Sequence, residues 1–319
     1  MEISVIIPCY QAGRTIANCV NSIINQQFNN YELWLIDDGS TDETGRICDE
    51  MAKKNSHVHV FHQQNAGRTA ARWQGVQLAK GEWICFVDAD DTLPGNALQL
   101  LHDATTNNTD IVFGNGFTLG IQDKQPFIDI NTFRHLAVRA EGTIGVPWGS
   151  LYRKTIISAD LFDLPKEIYM GEDYIFWLRL IFKTTRPVAT VWQRTYHKGT
   201  DTTSSRFVWT IDYASKIQSY REQSIPPTYR NDYLADTTAD RKANLMACTL
   251  FEPRKTWKKS PFYRNLLADM NACHMVFSAR ERLFLALPAR WLRRCYSWAS
   301  RKKQLKNAVN DSNKITKVL

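Results

Sequence analysis

The N-terminal part of the chain alternates between strand-like and helix-like patterns, and this alternation constrains the fold more than any other feature. Apolar runs typical of buried strands occupy residues 3–8, 32–37, 58–62, 83–88 and 110–113. Between them, apolar residues recur at helical spacing, as in the stripe of Ile16, Val20, Ile23 and Ile24. Strands and helices of these lengths favour right-handed β-α-β units. We therefore predict an α/β fold, with a mostly parallel sheet and helices on both faces.

Polar motifs follow four of the predicted strands. They are Pro8-Cys9-Tyr10, Asp37-Asp38-Gly39, Asn65-Ala66-Gly67 and Asp88-Ala89-Asp90-Asp91. In open parallel sheets, ligands bind outside the carboxyl ends of the strands, where such motifs meet. A single polar turn after a strand would be ordinary. Four at the same edge predict a binding site.

The acidic motif directly follows the apolar run from Trp83 to Val87. Alternate residues of an extended chain point the same way, so we expect Asp88 and Asp90 to face one ligand. Carboxylate oxygens suit Mg²⁺ or Mn²⁺, and Mg²⁺ is usually bound together with substrate phosphates. The alternative is a solvated turn, because Asp is common in turns. The neighbouring motifs favour the metal site.

The second motif has two interpretations. A carboxylate at a strand end, such as Asp38, can accept hydrogen bonds from a nucleobase or a ribose. Ser40 or Thr41 can instead cap the next helix, with Glu43 in its first turn. Capping does not explain two acids before Gly39, so both interpretations are kept.

Four segments together resemble family 2 glycosyltransferases of the GT-A fold, a Rossmann-like arrangement, over roughly residues 1–205. They read SVIIPCYQAGRTIANCVNSIINQ, LWLIDDGSTDET, NAGRTAARWQGVQLAKGEWICFVDADD and MGEDYIFWLRLI. The resemblance implies a metal-dependent, inverting enzyme of the hexosyltransferase type. Such an enzyme moves a sugar from a nucleotide donor, usually UDP-linked, to an acceptor hydroxyl. It also implies a setting in cell-surface polysaccharide or glycolipid synthesis.

The resemblance further implies roles for single residues at the donor. Pro8, Tyr10 and Asp38 would hold the base and ribose of the nucleotide. Asp88 and Asp90 correspond to the family's D-x-D, whose last Asp binds the metal that bridges the diphosphate.

The pair Glu172-Asp173 is the candidate catalytic group, because Asp173 corresponds to the general base of the inverting members. A base must take the proton of the acceptor hydroxyl. The apolar pattern that follows predicts a helix after a turn at Gly171, and a carboxylate at the positive end of a helix stays ionised. The alternative is that both acids are ordinary first-turn residues of a helix, without a catalytic role. The upstream motifs favour catalysis.

Residues 65–72 resemble the family's N-x-G-x-x-x-A-R segment, which approaches the nucleotide. Asn65 and Arg72 are the expected polar contacts. The chain departs from the family pattern at Trp73, where Asn is usual, and at Arg68, where a small or apolar residue is usual. Arg68 has two readings, a diphosphate contact or a solvent-facing side chain.

Two further segments are candidates for the site. VPWGSLYRK (146–154) resembles the family's acceptor-side segment, and Trp148 either stacks on a sugar or, as is commoner for Trp, packs in the core. Residues 195–206 fall where many family members have a loop that closes over the diphosphate. His197 in this loop is a candidate metal or phosphate ligand, although a single His is usually neither.

Beyond residue 206 the resemblance ends, so we predict a catalytic domain at 1–206 and a helical C-terminal region at 207–319. Of the chain's net charge of +8, residues 280–319 carry +9, from eleven Lys or Arg and two acids, and the rest of the chain carries −1. A helical wheel places Leu283, Phe284, Leu287, Trp291, Cys295 and Trp298 on one side, with Arg282, Arg290 and Arg293 opposite. Pro288 should interrupt this helix. Contact with an anionic membrane and docking on the catalytic domain are both compatible with the pattern.

Composition and missing motifs exclude several classes. No apolar run is long enough for a membrane span, and the start of the sequence does not resemble a signal peptide. Seven Cys without a C-x-x-C pair argue against a disulfide framework or a zinc site and favour buried thiols in a reducing compartment. We therefore expect a cytoplasmic protein, located at the inner face of the membrane if the basic tail binds lipid. The first strand lacks a G-x-G-x-x-G dehydrogenase motif, and no nucleic-acid module is present. The remaining alternative is a non-catalytic nucleotide-sugar-binding or scaffold protein.

Overall fold

In a computed structural model, the chain forms two compact units, described over residues 2–114, 124–139, 145–199, 207–295 and 297. The first unit comprises Met1–Arg206 and Gln223–Thr228. The second comprises Phe207–Glu222 and Tyr229–Leu319.

The first unit is built on an eight-stranded sheet with six α-helices among its described residues. The strands are β1 (Ile3–Cys9), β2 (Tyr31–Asp37), β3 (Val58–His62), β4 (Trp83–Phe86), β5 (Ile111–Phe113), β6 (Phe127–Ile128), β7 (Leu151–Arg153) and β8 (Val188–Thr190). The helices are α1 (Ile16–Ile24), α2 (Thr44–Lys54), α3 (Arg68–Leu78), α4 (Ala97–Asp103), α5 (Ile130–Val138) and α6 (Glu172–Leu180).

The strand order is β3-β2-β1-β4-β7-β5-β8-β6, and the first four strands are all parallel. This confirms the predicted α/β class with a mostly parallel sheet. The position of β7 was not predicted: it lies antiparallel between β4 and β5. Strand order depends on pairing between distant segments, which hydrophobic periodicity does not encode.

The parallel register brings the predicted motifs to one edge. Cys9 pairs with Asp37, Asp37 pairs with His62, and β4 ends beside β1 at Phe86. The backbone N–H of Asp38 also donates to the carbonyl of Cys9 at 2.8 Å. The four polar motifs therefore share the carboxyl edge of the sheet.

Helix α3 lies directly on β1 because it carries a glycine at the contact. A Cβ on Gly75 would come within 2.4 Å of the Ile6 side chain, so only glycine permits this close approach. The buried strand residues Ile3, Val5 and Ile7 form the core on the other face with α1. The sheet and this close packing fix α3 as a rigid support for the site.

The second unit is helical. Its helices are α7 (Ile211–Ser224, whose last two residues belong to the first unit), α8 (Leu234–Cys248), α9 (Arg254–Lys259), α10 (Pro261–Ala272) and α11 (Ala279–Ala286). Trp257, Leu245, Phe262 and Leu266 are buried in a core of their own. Among the described helices, none combines the length and apolar character that crossing a membrane requires.

The end of the second unit corrects the helical-wheel prediction. Helix α11 ends before Pro288 and residues 290–295 are helical again, as predicted. However, Arg293 is fully buried and donates to the carbonyls of Thr249 and Glu252, because a guanidinium can satisfy carbonyls left free after a helix end. Trp291 is instead 62% exposed. Trp298 lies outside the described residues.

All seven cysteines are free thiols, and five of them are buried. Cys273 is partly exposed and Cys295 is exposed. The prediction of free thiols is therefore correct, whereas complete burial holds for five.

Candidate active site

The acidic motif after β4 brings three carboxylates together through a turn. Oxygens of Asp88, Asp90 and Asp91 lie within 4.8 Å of one another. The strand ends at Phe86, and the N–H of Asp91 donates to the carbonyl of Asp88 at 3.1 Å. The expected alternation along an extended strand is therefore wrong, because the chain turns at this point. Three hard oxygen ligands at this spacing fit Mg²⁺ or Mn²⁺.

Asp91 is the buried member of the three, and two donors hold it. Its carboxylate accepts from the Tyr196 hydroxyl at 2.6 Å and from the Gly199 N–H at 2.6 Å. Burial raises the pKa of Asp91 to about 6. Asp90 is exposed, and partial desolvation together with the charge of Asp88 raises its pKa. A bound cation would stabilise the charged carboxylates against the burial and the mutual repulsion that raise these pKa values.

Tyr196 ties the segment after β8 to the acidic turn. Its hydroxyl also accepts from the N–H of Asp88 at 3.0 Å. Its ring stacks on Trp148, with ring centroids 4.2 Å apart. Trp148 is partly buried against the core, which favours the packing interpretation of this residue.

His197 is held by its backbone rather than by its imidazole. It exchanges two backbone hydrogen bonds with Thr92, at 2.9 and 3.0 Å. The side chain is exposed and is not part of the three-carboxylate group, as far as the described residues go. Residues 200–206 of the predicted loop lie outside the described part of the chain.

Asp38 organises the loop that follows β3. One oxygen accepts from the Gln63 side chain and the Ala66 N–H, and the other accepts from the Gly67 N–H, each at 2.8 Å. Asn65 therefore lies in a loop that is tied to Asp38. The oxygen that accepts from Gly67 can accept one further hydrogen bond, so this arrangement is compatible with contact to a ribose.

The first motif presents an aromatic side chain at the same edge. Pro8 is the penultimate residue of β1, and Tyr10 directly after the strand is 53% exposed. An exposed ring at a strand end offers a surface on which a nucleobase can stack.

The capping interpretation of Ser40 and Thr41 is wrong. Helix α2 begins at Thr44, and Glu43 occupies the N-cap position without a side-chain cap. The N–H of Ser40 instead donates to Asp37 at 3.1 Å. Asp37 thereby closes the turn after β2, and its other oxygen contacts His62 at 2.8 Å.

Arg72 joins the acidic turn to the candidate base. Its guanidinium donates to Asp88 at 2.9 Å and to Asp173 at 2.5 Å. The side chain is 2% exposed, and its Nε has no hydrogen-bond partner. Burial lowers the pKa of Arg72, but the neighbouring carboxylates of Asp173 and Asp88 outweigh this and raise it. Arg72 is therefore a permanent positive charge between two predicted site residues.

Helix α6 presents Glu172 and Asp173 at its positive end, as predicted. Gly171 before it has φ +87°, a left-handed conformation that glycine adopts readily. Glu172 is 3% exposed, and burial together with the charge of Asp173 raises its pKa to about 7. The Arg68 guanidinium donates to Glu172 at 2.7 Å. The Arg68 side chain is 48% exposed, in keeping with the solvent-facing interpretation, but its pairing with Glu172 was not predicted.

Comparison with known proteins decides the family. Residues 4–158 match the family described as Glycosyl transferase family 2. Glycosyltransferase GlyG of Streptococcus pneumoniae serotype 4 is 39% identical over 123 residues, 38% of this chain and 41% of GlyG. The uncharacterized glycosyltransferase EpsJ of Bacillus subtilis is 35% identical over 127 residues, 40% of this chain and 37% of EpsJ. Residues 4–158 are a glycosyl transferase family 2 domain.

A solved structure shows that the fold is shared more widely. S. aureus TarS 1–349, in complex with UDP-GlcNAc, aligns with a TM-score of 0.56 and 17% identity. The alignment covers 87% of this chain and 93% of TarS 1–349. The GT-A fold expected from the resemblance is confirmed. The sequence matches span less than half of GlyG and of EpsJ.

Three features of the candidate site were not predicted. They are the donors to Asp91, the stack of Tyr196 on Trp148, and the Arg68–Glu172 ion pair. A buried Tyr normally finds a hydrogen-bond partner, so Tyr196 was a detectable candidate, although its partner lies 105 positions away. Arg68 stood out only as a departure from the family pattern.

Proposed function

We propose that the chain is an inverting glycosyltransferase that moves a sugar from a nucleotide-sugar donor, first of all a UDP-sugar, to an acceptor hydroxyl. The observation that carries this proposal is the position of Arg72. One buried guanidinium contacts both Asp88 of the acidic turn and Asp173 of α6. The candidate donor side and the candidate base thus belong to one site. The family 2 domain supports the reaction class.

The metal would be held at the three-carboxylate group, with Asp90 as the principal ligand and Asp88 beside it. Their oxygen-only donor set fits Mg²⁺ or Mn²⁺. When bound, such an ion neutralises charge on the leaving diphosphate. Asp91 is already engaged with Tyr196, so its role is to hold the turn in shape. His197 remains a lower-ranked candidate ligand, because its imidazole is outside the group.

The nucleoside would lie against the first, second and third strand ends. Tyr10 offers an exposed ring for the base, next to Pro8. Asp38 and the adjoining Asn65 loop would contact the ribose, because the carboxylate is at the sheet edge and retains acceptor capacity. Arg72 and Asp88 would define the inner limit of this pocket.

Asp173 would act as the base. In the proposed step, the acceptor oxygen attacks the anomeric carbon while its proton passes to a carboxylate oxygen of Asp173. The bond from the anomeric carbon to the diphosphate breaks, and the nucleoside diphosphate leaves with that electron pair. The Arg72 guanidinium donates to the Asp173 carboxylate at 2.5 Å and so holds it in place for this step. Glu172 supports the same helix start.

The domain organisation that we propose places catalysis in residues 1–206, with 207–319 as a helical C-terminal region. TarS was solved with UDP-GlcNAc, which supports a UDP-sugar as the first donor to test. A glycan or a lipid-linked molecule is the proposed acceptor, in polysaccharide or glycolipid synthesis. This setting implies a cytoplasmic protein acting at the inner face of the membrane.

Peripheral membrane contact through residues 280–319 belongs to this proposal. Trp291 and Leu283 are 62% and 56% exposed, in a region whose net charge is +9. Exposed Trp and Leu beside excess Lys and Arg suit an anionic interface. Cosedimentation with phosphatidylglycerol vesicles should exceed that with phosphatidylcholine and fall in L283S/W291S, whereas Tyr169→Ser in the first unit should have no effect. Equal sedimentation with both lipids would reject the contact.

The decisive experiment is a panel of UDP- and GDP-sugars with Mn²⁺ or Mg²⁺, measured as nucleotide release and as thermal shift. Asp173→Asn should reduce turnover by about a thousandfold while retaining UDP binding, since loss of a general base costs about 10²–10⁴. Unchanged turnover in this variant would favour the second candidate, a nucleotide-sugar-binding scaffold. Absence of binding by every nucleotide sugar would reject both.

A further inference from the structure

The ion pair between Arg68 and Glu172 has no role in the proposed reaction. Arg68 is the first residue of α3, and Glu172 is the first residue of α6. Their side chains meet at 2.7 Å although they lie 104 positions apart.

The geometry forms a double clamp between two helices. Arg68 and Arg72 are one helical turn apart on α3, so their side chains project on the same side. They bind two consecutive acids of α6: Arg68 holds Glu172, and Arg72 holds Asp173. Successive residues of a helix point about 100° apart, because a turn contains about 3.6 residues. The two contacts together thus fix the rotation of α6 as well as its distance from α3.

Glu172 is far more buried than Arg68, so loss of the ion pair would affect the two residues differently. The Glu172 side chain is 4% exposed, whereas the Arg68 side chain is 48% exposed. A buried carboxylate without a positive partner is strongly disfavoured, while a half-exposed guanidinium remains hydrated without its partner. The charged groups that act on Glu172 are Asp173 on its own helix, and Arg68 and Arg72 on α3. Removal of Arg68 would therefore displace Glu172 rather than disturb α3.

We propose that Arg68 is a positioning residue: it compensates the buried charge of Glu172 and so keeps the first turn of α6 docked on α3, where Asp173 faces the acceptor hydroxyl. This inference rests on the proposed role of Asp173 as the base. Arg68 would touch neither donor nor acceptor. Its contribution would therefore appear in the rate of transfer and not in donor affinity.

The test compares Arg68→Met, Arg68→Lys and R68M/E172Q with the wild type. Turnover is measured as nucleotide release from the UDP-sugar that the panel identifies, and binding as calorimetry with UDP and Mn²⁺. R68M should lower kcat by about tenfold to a hundredfold, the size expected when a reacting group is misplaced by about 1 Å. The KM for the donor and the affinity for UDP should stay within about twofold of the wild type. R68K should retain most of the rate, because it preserves the charge.

The pH dependence distinguishes positioning from a general loss of structure. An unpaired Glu172 leaves the buried site when it is charged and stays there when it is neutral. The defect of R68M relative to the wild type should therefore grow between pH 6 and pH 9, with a matching loss in melting temperature at high pH. R68M/E172Q should recover rate and melting temperature at all pH values, since the neutral amide that replaces the carboxylate needs no positive partner.

Arg46→Met is the matched control. Arg46 likewise forms ion pairs with carboxylates, those of Glu43 and Glu50, but it lies exposed on α2. This variant should keep the wild-type rate at each pH.

Two results would overturn the inference. If R68M/E172Q released nucleotide no faster than R68M, Arg68 would not act through Glu172. A loss of UDP affinity in R68M without a loss of kcat would make Arg68 a donor contact. If Asp173→Asn instead turned over as fast as the wild type, Asp173 would not be the base. The melting temperatures of R68M and R68M/E172Q would still test whether Arg68 stabilises the position of Glu172.

Discussion

Replacement of Arg72 by Met should destabilise the first unit, because it removes the only buried cation between two carboxylates of the described site. Arg72 is 2% exposed, whereas the side chains of Asp88 and Asp173 are 22% and 18% exposed. Breaking a buried ion pair from one side costs about 3–5 kcal/mol. Because both carboxylates retain some contact with water, we expect the lower end of this range, about 3 kcal/mol.

The assay is urea unfolding followed by tryptophan fluorescence. With a slope of about 3 kcal/mol/M, a loss of about 3 kcal/mol moves the unfolding midpoint down by about 1 M. R72M/D173N should recover part of this shift, because it removes one of the two orphaned charges. Arg46→Met, which breaks exposed ion pairs, should change the free energy of unfolding by less than about 1 kcal/mol. A midpoint for R72M within about 0.3 M of the wild type would refute the reasoning.

Three further variants test other parts of the structure. Tyr196→Phe removes the hydroxyl that donates to the Asp91 carboxylate and accepts from the Asp88 N–H. It should lower the free energy of thermal unfolding by about 1–3 kcal/mol and weaken Mn²⁺-dependent UDP binding. Unchanged metal dependence would contradict the role assigned to the turn. Hydrogen bonds to Asp37 and Asp49 raise the pKa of His62. The protonated imidazole therefore stabilises the folded protein fully below about pH 6.5, and this stabilisation is lost as the pH rises through the raised pKa of His62. His62→Gln should therefore be less stable than the wild type at pH 6, by less than about 1 kcal/mol, and equal to it at pH 9; the opposite order would contradict the assignment. Arg293→Met removes three hydrogen bonds to carbonyls and should cost about 3 kcal/mol in the second unit, whereas Met at the exposed Arg294 should have little effect.

The parts of the fold that depend on local periodicity could be predicted from the sequence. The runs at residues 3–8 and 58–62 are strands, and the stripe beginning at Ile16 is a helix. The convergence of four polar motifs followed from the rule that parallel strands share a carboxyl edge. Local pattern and topology agree in this region, so the shared edge of the four motifs could be inferred from the sequence.

The parts that depend on distant partners could not be predicted. The place of β7 is fixed by pairing with Trp83 and Ile111, both far along the chain. Arg293 was assigned to a solvated face because it is charged, but carbonyls after α8 bind it in the interior. In both cases the deciding partner lies more than forty positions away, and no spacing within the segment reveals it.

The antiparallel direction of β7 separates the segment before this strand from the four parallel strands that carry the polar motifs. Because β7 is antiparallel to its neighbour β4, the N-terminal end of β7 lies at the carboxyl edge of the parallel strands. Trp148, shortly before β7, lies beside Phe86, where β4 ends. The stretch before β7 can therefore change in length or composition while the four strands that carry the polar motifs keep their register. Under the proposed function, grafting this stretch between relatives should change acceptor preference and leave the proposed donor pocket intact.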